Sequence, residues 1–420
     1  MRILLVGDGA REHAIAKRLA RGATLFSVMG RKNPGIASLS HSSFICPATA
    51  VEAIGTWAIQ NRMELAFVTS ETALQCGLTD ALADAGIPLA CPTSAGAVMG
   101  NNALYASGLM AAAKVRTPER RVCRNETDIR KALRNLGPVV VKPALRMEAR
   151  GAMFSEMDFT SRDELASHCK ALIRRHGAVV LERADKGHMF SLQAFSDGRE
   201  LSAMPPVHVS FRRNEDEKGA LTEGMGGFSS GALLPFMSRN DYDAARGSLA
   251  AIVDQLRRRG IDYRGALCGK FLVSGKSVKM LDINSTLGTV ETICNLGSLW
   301  GDLAETLRSV AQGDLKHAAF DGTANVARFA VHPGYPRGRQ KAEKIEIDER
   351  AVWDSGAGVL FESVERVEGS YVARGGRALA MAAKGDDLDE ASRRVETALA
   401  AVRGNLRSRS DIGAWGKRRG

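Results

Sequence analysis

Short apolar runs alternate with helical stretches through the first hundred residues. Ile3 to Val6, Thr24 to Met29, Leu65 to Val68 and Ile87 to Ala90 read as buried strands, and Glu12 to Ala20, Ala50 to Gln60 and Ala73 to Ala85 as helices between them. That βαβα rhythm predicts an open, mostly parallel sheet that binds ligands at the carboxyl ends of its strands. A helix over Ala103 to Lys114 leads out of this unit. Residues 119 to 185 then show a compact α+β pattern, with strands at Val139 to Lys142 and Ala178 to Glu182 and a helix over Asp163 to Arg175. Strands follow at Phe190 to Phe195, Leu201 to Val207, Gly265 to Val273 and Val278 to Ile283, the middle pair separated by a long helix over Arg239 to Arg259. From Asn325 the pattern is β-rich, with hairpin glycines at Gly375-Gly376 and a closing helix over Leu388 to Arg403.

Composition narrows the class. The 420 residues suffice for two to four domains, and 45% hydrophobic with 25% charged residues is ordinary for a globular chain. No apolar run reaches membrane-spanning length, and the first strand starts at Ile3 with no room for a cleaved leader, so a cytoplasmic protein is expected. Seven cysteines without a C-x-x-C pair point to reduced thiols rather than a disulfide frame or a zinc site. The net charge of +11 comes without a helix-turn-helix or an aromatic-and-basic RNA motif. It therefore favours anionic small molecules over nucleic acid.

One turn carries candidate chemistry. The first strand runs into Gly7 and Gly9, and a helix opens with Arg11-Glu12-His13. Bare glycines allow close approach to a ligand, and helix N-terminal amides favour an anion. The third glycine of a dinucleotide fingerprint is missing, since position 12 is Glu. The turn reads as a phosphate-like pocket or as an ordinary structural βα turn. The loop Gly30 to Ala37, with Asn33, should face the same crevice.

Along nearly its whole length the chain resembles the phosphoribosylamine–glycine ligase family of ATP-grasp enzymes. The resemblance rests on Gly7-Asp-Gly-Ala-Arg-Glu-His13, Asn33-Pro-Gly-Ile-Ala37, Pro92-Thr93, Val141-Lys142, Gly224-Met-Gly226 with Ser229, Asp282-Ile-Asn284, Gly288 with Glu291-Thr292, Gly334-Tyr-Pro336, Gly375-Gly-Arg377 and Arg409-Ser-Asp-Ile-Gly413. It implies an α/β fold: a doubly wound pre-ATP-grasp domain at 1–102, an ATP-grasp α+β core at 103–118 and 186–322, a lid subdomain at 119–185, and a β-rich barrel-like domain at 323–420. It implies ATP and Mg²⁺ as cofactors, and activation of an acid as its acyl phosphate before an amine attacks.

Site residues follow from the resemblance position by position. Lys142 matches the strand lysine that meets nucleotide phosphates, and Arg150 stands where another lysine is expected. Glu182 and Ala184 fall in the hinge beside adenine. Asp282 and Asn284 alternate on one strand face and suit Mg²⁺, with Asp in place of the family's Glu; a polar pair capping a strand end is the plainer alternative. Lys142, Arg150 and Asn284 are the expected catalytic set. Gly7, Gly9, Arg11, Glu12, His13, Asn33, Arg212, Gly224, Gly226, Ser229 and Glu291 are the expected substrate residues.

The departures concentrate in the middle of the chain. Two expected lysines are Ala103 and Ser107, the lid loop Pro143 to Gly151 has lost most of its glycines, and the acidic ribose pair is His188-Met189. An Asp-His-Lys-Arg run has become Val209-Ser-Phe-Arg212, and an arginine has become Thr286. These losses favour a carboxylate–amine ligase with a changed acid or amine, as in specialised metabolism. The alternatives are a non-catalytic binding or scaffold protein and a purine-pathway phosphoribosylamine–glycine ligase. The expected partners are small, anionic acid and amine substrates, with no membrane, no nucleic acid, and a monomeric or homodimeric state.

Overall fold

Four parallel strands, Arg2–Val6, Thr24–Met29, Ser42–Ile45 and Leu65–Val68, form the first sheet, in the spatial order third, second, first, fourth. The computed structural model describes residues 1–145, 152–275, 277–337 and 340–414. Strand order reverses between Arg2–Val6 and Leu65–Val68, so the ligand crevice of a doubly wound sheet opens just beyond Val6 and Val68. These two strands are buried on both faces, which is why they read as unbroken apolar runs. Ser42–Ile45 is a half-buried edge strand whose two serines hid it from the sequence pattern. Ile87 to Ala90 makes only a bridge from Leu89 to Ala66, because Pro88 has no amide to extend a ladder. The expected helix Ala73 to Ala85 divides into Glu71–Gln75 and Leu78–Asp84 at Gly77, whose φ is +81°.

A second, antiparallel sheet contains Arg120–Cys123, Val179–Arg183, Val139–Pro143 and Met153–Phe154, in that order. Helices Glu126–Leu136 and Arg162–His176 cover it. Its small core, built on Cys123, Ile129, Val139, Val141, Leu165 and Leu181, is separate from the two larger ones. A unit with its own core can change position without unfolding its neighbours.

The central sheet pairs Leu201–Ala203, His188–Asp197, Arg264–Ser274 and Ser277–Asn284. Its first strand stops at Ala203, short of the expected Val207, because Pro205-Pro206 follow. A fourth sheet, His208–Asn214, Lys218–Ser229, Ala324–Val331, Arg377–Gly385 and Ala357–Phe361, joins a hairpin from the middle of the chain to C-terminal strands. The glycine-rich Lys218–Ser229 gives no strand signal in the sequence. Its glycines have a packing reason, since a Cβ on Gly226 would collide with the Ala327 carbonyl. No helix among the described residues is long and apolar enough to cross a membrane.

Candidate active-site cleft

The glycine turn is organised from below by Glu12. Gly7 has φ +140°, and a Cβ there would lie 2.6 Å from Glu12 Cγ, so only glycine lets the glutamate curl under the loop. Glu12 Oε2 accepts the Gly9 N–H at 2.9 Å, and Oε1 accepts Thr69 Oγ1–H and Arg11 Nε–H, both at 2.6 Å. Arg11 also donates to the carbonyls of Leu287 and Thr69, at 2.6 Å each, tying the loop to two other segments. The Ala10 N–H donates to Glu362 Oε2 at 2.6 Å, and Arg377 donates to the other oxygen of that carboxylate at 2.6 Å. Two amides at this helix N-terminus thus point at carboxylates of the chain itself. Burial alone would raise the Glu12 carboxyl, but Arg11, Thr69 and Gly9 outweigh it and hold it below the usual range.

His13 and Asn33 join the same junction to the C-terminal strands. His13 Nδ1 accepts the Phe361 N–H at 3.0 Å, which leaves the ring proton on Nε2, and the ring stacks on Phe361. Asn33 donates to the carbonyls of Asp8 and Phe361, and its Oδ1 accepts from Gly35 and Ile36, capping helix Pro34–Leu39. Burial, with Lys17 adding, lowers the His13 pKa from 6.5 to about 3. Native His13 is therefore neutral, while the unfolded chain takes up a proton below its own pKa. The stability this contributes is complete above pH 6.5 and is lost as pH falls toward 3. Against His13→Asn, which keeps an acceptor for Phe361, wild type should lose about 2 kcal/mol more between pH 7 and pH 5. Parallel urea-unfolding curves for the two proteins would refute a buried neutral imidazole.

The second cluster lies between the small sheet and the central one. Lys142, at the end of a buried strand, donates from Nζ to Glu182 Oε1 at 2.8 Å and to the Leu281 carbonyl at 2.9 Å. Arg120 closes the other side, pairing with Glu182 Oε2 at 2.7 Å and reaching Ser107 Oγ at 3.2 Å. These residues, with Ala103, Ala106, Met110, Val180 and Asp282, line a recess between the two sheets. With Lys142 engaged by Glu182 and Leu281, this recess leaves almost no open room. The segment that follows Val179–Arg183 is tied down by Asp185, which accepts from Lys279 at 2.6 Å and from Arg183 at 2.8 Å. The Ala184 N–H donates to the Pro138 carbonyl.

Asp282 and Asn284 are half-buried on one face of Ser277–Asn284, with buried Ile283 on the other. One carboxylate and one amide oxygen fit Mg²⁺, a hard cation that keeps waters and phosphate oxygens as its other ligands. No cluster of three or more His, Cys, Asp or Glu side chains that could hold a metal occurs among the described residues. Glu291 is buried in the first turn of helix Thr289–Ser298, and Cys268, the register partner of Asn284, points its thiol at it from 3.9 Å. Below them Gln193 accepts the Gly288 N–H at 2.7 Å and donates to Asn295, which donates to the Pro205 carbonyl. This buried polar floor gave no signal in sequence, where Gln193 and Asn295 look like isolated amides.

The remaining expected residues lie elsewhere. Arg212 makes a two-pronged ion pair with Asp158 at 2.5 and 3.0 Å and covers the Phe154 ring, joining the small subdomain to the long hairpin. The Gly224 carbonyl accepts from Arg377. Ser229 is buried at the register partner of Asn325. Arg150 lies outside the described residues. Sequence reasoning missed Arg120, Glu362 and Phe361, whose positions only the folded chain brings together.

Comparison with known proteins decides the family. Residues 1–100, 101–292 and 325–415 match the models described as the N domain, ATP-grasp (A) domain and C domain of phosphoribosylglycinamide synthetase. The chain is 34% identical over 419 residues to the phosphoribosylamine–glycine ligase of Thermococcus gammatolerans, covering 98% of this chain and 94% of that one. It belongs to the phosphoribosylglycinamide synthetase family. The ligase of Pyrococcus horikoshii is 33% identical with the same coverage. Among solved structures, the Thermotoga maritima phosphoribosylamine–glycine ligase superposes with a TM-score of 0.81 at 20% identity, covering 98% of this chain and all of that one. The biotin carboxylase domain of the Hydrogenobacter thermophilus 2-oxoglutarate carboxylase, solved with MgADP, gives 0.72 at 14% identity, covering 97% and 91%. The synthetase family is one of ATP-grasp ligases, which form C–N bonds, use ATP with Mg²⁺ and release ADP.

Proposed function

We propose that this synthetase-family chain joins glycine to phosphoribosylamine, the reaction named for its full-length relatives, rather than serving a changed acid or amine. The match to those relatives over 98% of the chain at more than 30% identity carries this reading. Residues 119–185 act as the lid over a core of 103–118 and 186–322, and 1–102 and 323–420 hold the phosphoribosylamine between them. Lys142 leaves Glu182 and Leu281 to meet phosphate oxygens as the lid opens and recloses, with Arg150 as a second cation and the Glu182–Ala184 hinge along the adenine. Asp282 and Asn284 would hold Mg²⁺, which would supply charge neutralisation for the transferring phosphoryl group. Glu291, beside them, orients the amine side. The glycine carboxylate takes the γ-phosphoryl group, ADP leaves, and the amine then displaces phosphate to form the amide. At the glycine turn, Glu12 and Asn33 shape the loop, and His13 presents a neutral Nε2–H.

Two features favour other readings and set the controls. Thr286, in place of a family arginine, is buried with its hydroxyl 3.5 Å from Glu71, so position 286 itself supplies no cation for a small acid. Arg120 and the Lys142 bridge narrow the nucleotide cleft, as a non-catalytic descendant would tolerate. ADP release should therefore be measured with glycine and phosphoribosylamine, and with a panel of other amino acids and amines. Turnover with glycine and phosphoribosylamine alone supports the proposal, and turnover only with another pair restores the changed-substrate reading. No turnover, with no rise in melting temperature in millimolar ATP and Mg²⁺, makes the chain a scaffold.

A further inference from the structure

The face of the central sheet that carries Asp282 also carries a lysine that neither the sequence motifs nor the proposed reaction uses. Lys270 lies in Arg264–Ser274, directly opposite Asp282 in the antiparallel register and directly opposite Ser191 on its other side. All three side chains therefore share one face of the sheet. Lys270 Nζ sits 4.8 Å from the centre of the Phe211 ring. Among the described residues no carboxylate forms an ion pair with it, unlike Lys142 and Lys279 of the same region. Lys270 lines a shallow surface depression together with Met189, Ser191, Val209 and Phe211. A half-buried lysine held by an aromatic face, rather than by an anion of its own, remains available to an anionic ligand.

Phe211 stands where the family resemblance places a lysine, so a positive charge lost from His208–Asn214 reappears on a strand of the central sheet, against the Phe211 ring itself. We propose that Lys270 binds the phosphate oxygens of the nucleotide beside the Asp282–Asn284 pair, replacing the cation missing at position 211. This rests on the ATP-dependent reading given above and adds a phosphate-binding residue to it. The relocation explains how a cleft with fewer cations at the expected positions retains the charge that phosphoryl transfer needs.

The test is binding of Mg²⁺ with a non-hydrolysable ATP analogue, followed by calorimetry, alongside steady-state ADP release. Lys270→Met keeps the apolar stem over Phe211 and removes the charge. It should weaken analogue binding roughly 10- to 100-fold, the scale of one charge-assisted hydrogen bond, with the ligand-free unfolding midpoint unchanged. Lys270→Arg should keep most of the affinity. Adding Phe211→Lys to Lys270→Met should restore affinity to within about threefold, which a merely structural Lys270 would not allow. Should Lys270→Met fail to fold, Lys270→Gln takes its place in the comparison. Unchanged binding in the charge-removed variant overturns the proposal, as does a wild-type protein that binds no analogue. Absence of ADP release with glycine and phosphoribosylamine, while Lys270 still controls analogue affinity, refutes the proposed reaction and leaves Lys270 standing.

Discussion

Lys142→Ala should lower ADP release at least 100-fold while leaving the unfolding midpoint of the ligand-free protein within a few degrees of wild type. The size of the effect follows from its place. The ammonium lies at the end of a strand in which Val139 and Val141 are buried in the small subdomain core, so its stem is aimed rather than free. A preorganised cation in a cleft closed to water acts on developing phosphate charge far more strongly than it would at a surface, and removal of one such donor costs on the order of 10²–10³ in rate. The structural cost is smaller, because Glu182 keeps Arg120 as an ion-pair partner after Lys142 is gone. Two measurements separate the roles. In wild type, Mg²⁺ with ATP at 100 times its Kd should stabilise the fold by about 2.7 kcal/mol, and much of that gain should vanish in the variant. Unchanged turnover would remove Lys142 from the mechanism and leave it as a strut between Glu182 and Leu281.

Where periodicity and a local partner coincide, the sequence sufficed. The strands Thr24–Met29 and Leu65–Val68 have the bounds that their apolar runs predict, and the helix over Arg239–Arg258 matches its expected span to one residue. Asp282 and Asn284 could be placed on one face because strand geometry fixes a two-residue alternation. What stayed hidden depends on chain crossing. Lys218–Ser229 has glycines where strands usually have branched residues, and only its packing against Ala324–Val331 makes them necessary. Glu362 caps an amide 352 residues away, and Arg120 reaches Ser107 only because the small subdomain folds back over helix Ala103–Ala112. No local pattern encodes such meetings. The apparent loss of positive charge from the middle of the chain shows the same limit. Read position by position, Ser107 and Phe211 are deletions, whereas in space Arg120 and Lys270 stand beside them.

Glu12→Ala should destabilise the protein by about 3–5 kcal/mol, the largest single-residue effect on stability expected here, read from urea unfolding at pH 7. Three donors lose their acceptor at once: the Gly9 amide, the Thr69 hydroxyl and Arg11 Nε. Arg11 is the costly one, because its guanidinium keeps hydrogen bonds to the carbonyls of Leu287 and Thr69 but loses its paired carboxylate, leaving Glu71 and Glu362 to act on it from farther off. Glu12→Gln keeps an acceptor and most of the shape, so its loss should be nearer 1–3 kcal/mol. The ratio of the two separates charge from geometry. Equal losses would mean that the ion pair with Arg11 is the whole effect, and a loss below about 1 kcal/mol for both would mean that water replaces the carboxylate without strain. The same carboxylate makes Gly7 indispensable, since a Cβ there meets the Glu12 stem. The glycine turn is therefore shaped first by an internal anion, and whatever phosphate-bearing substrate it receives must fit around a loop that Glu12 and Glu362 have already drawn tight.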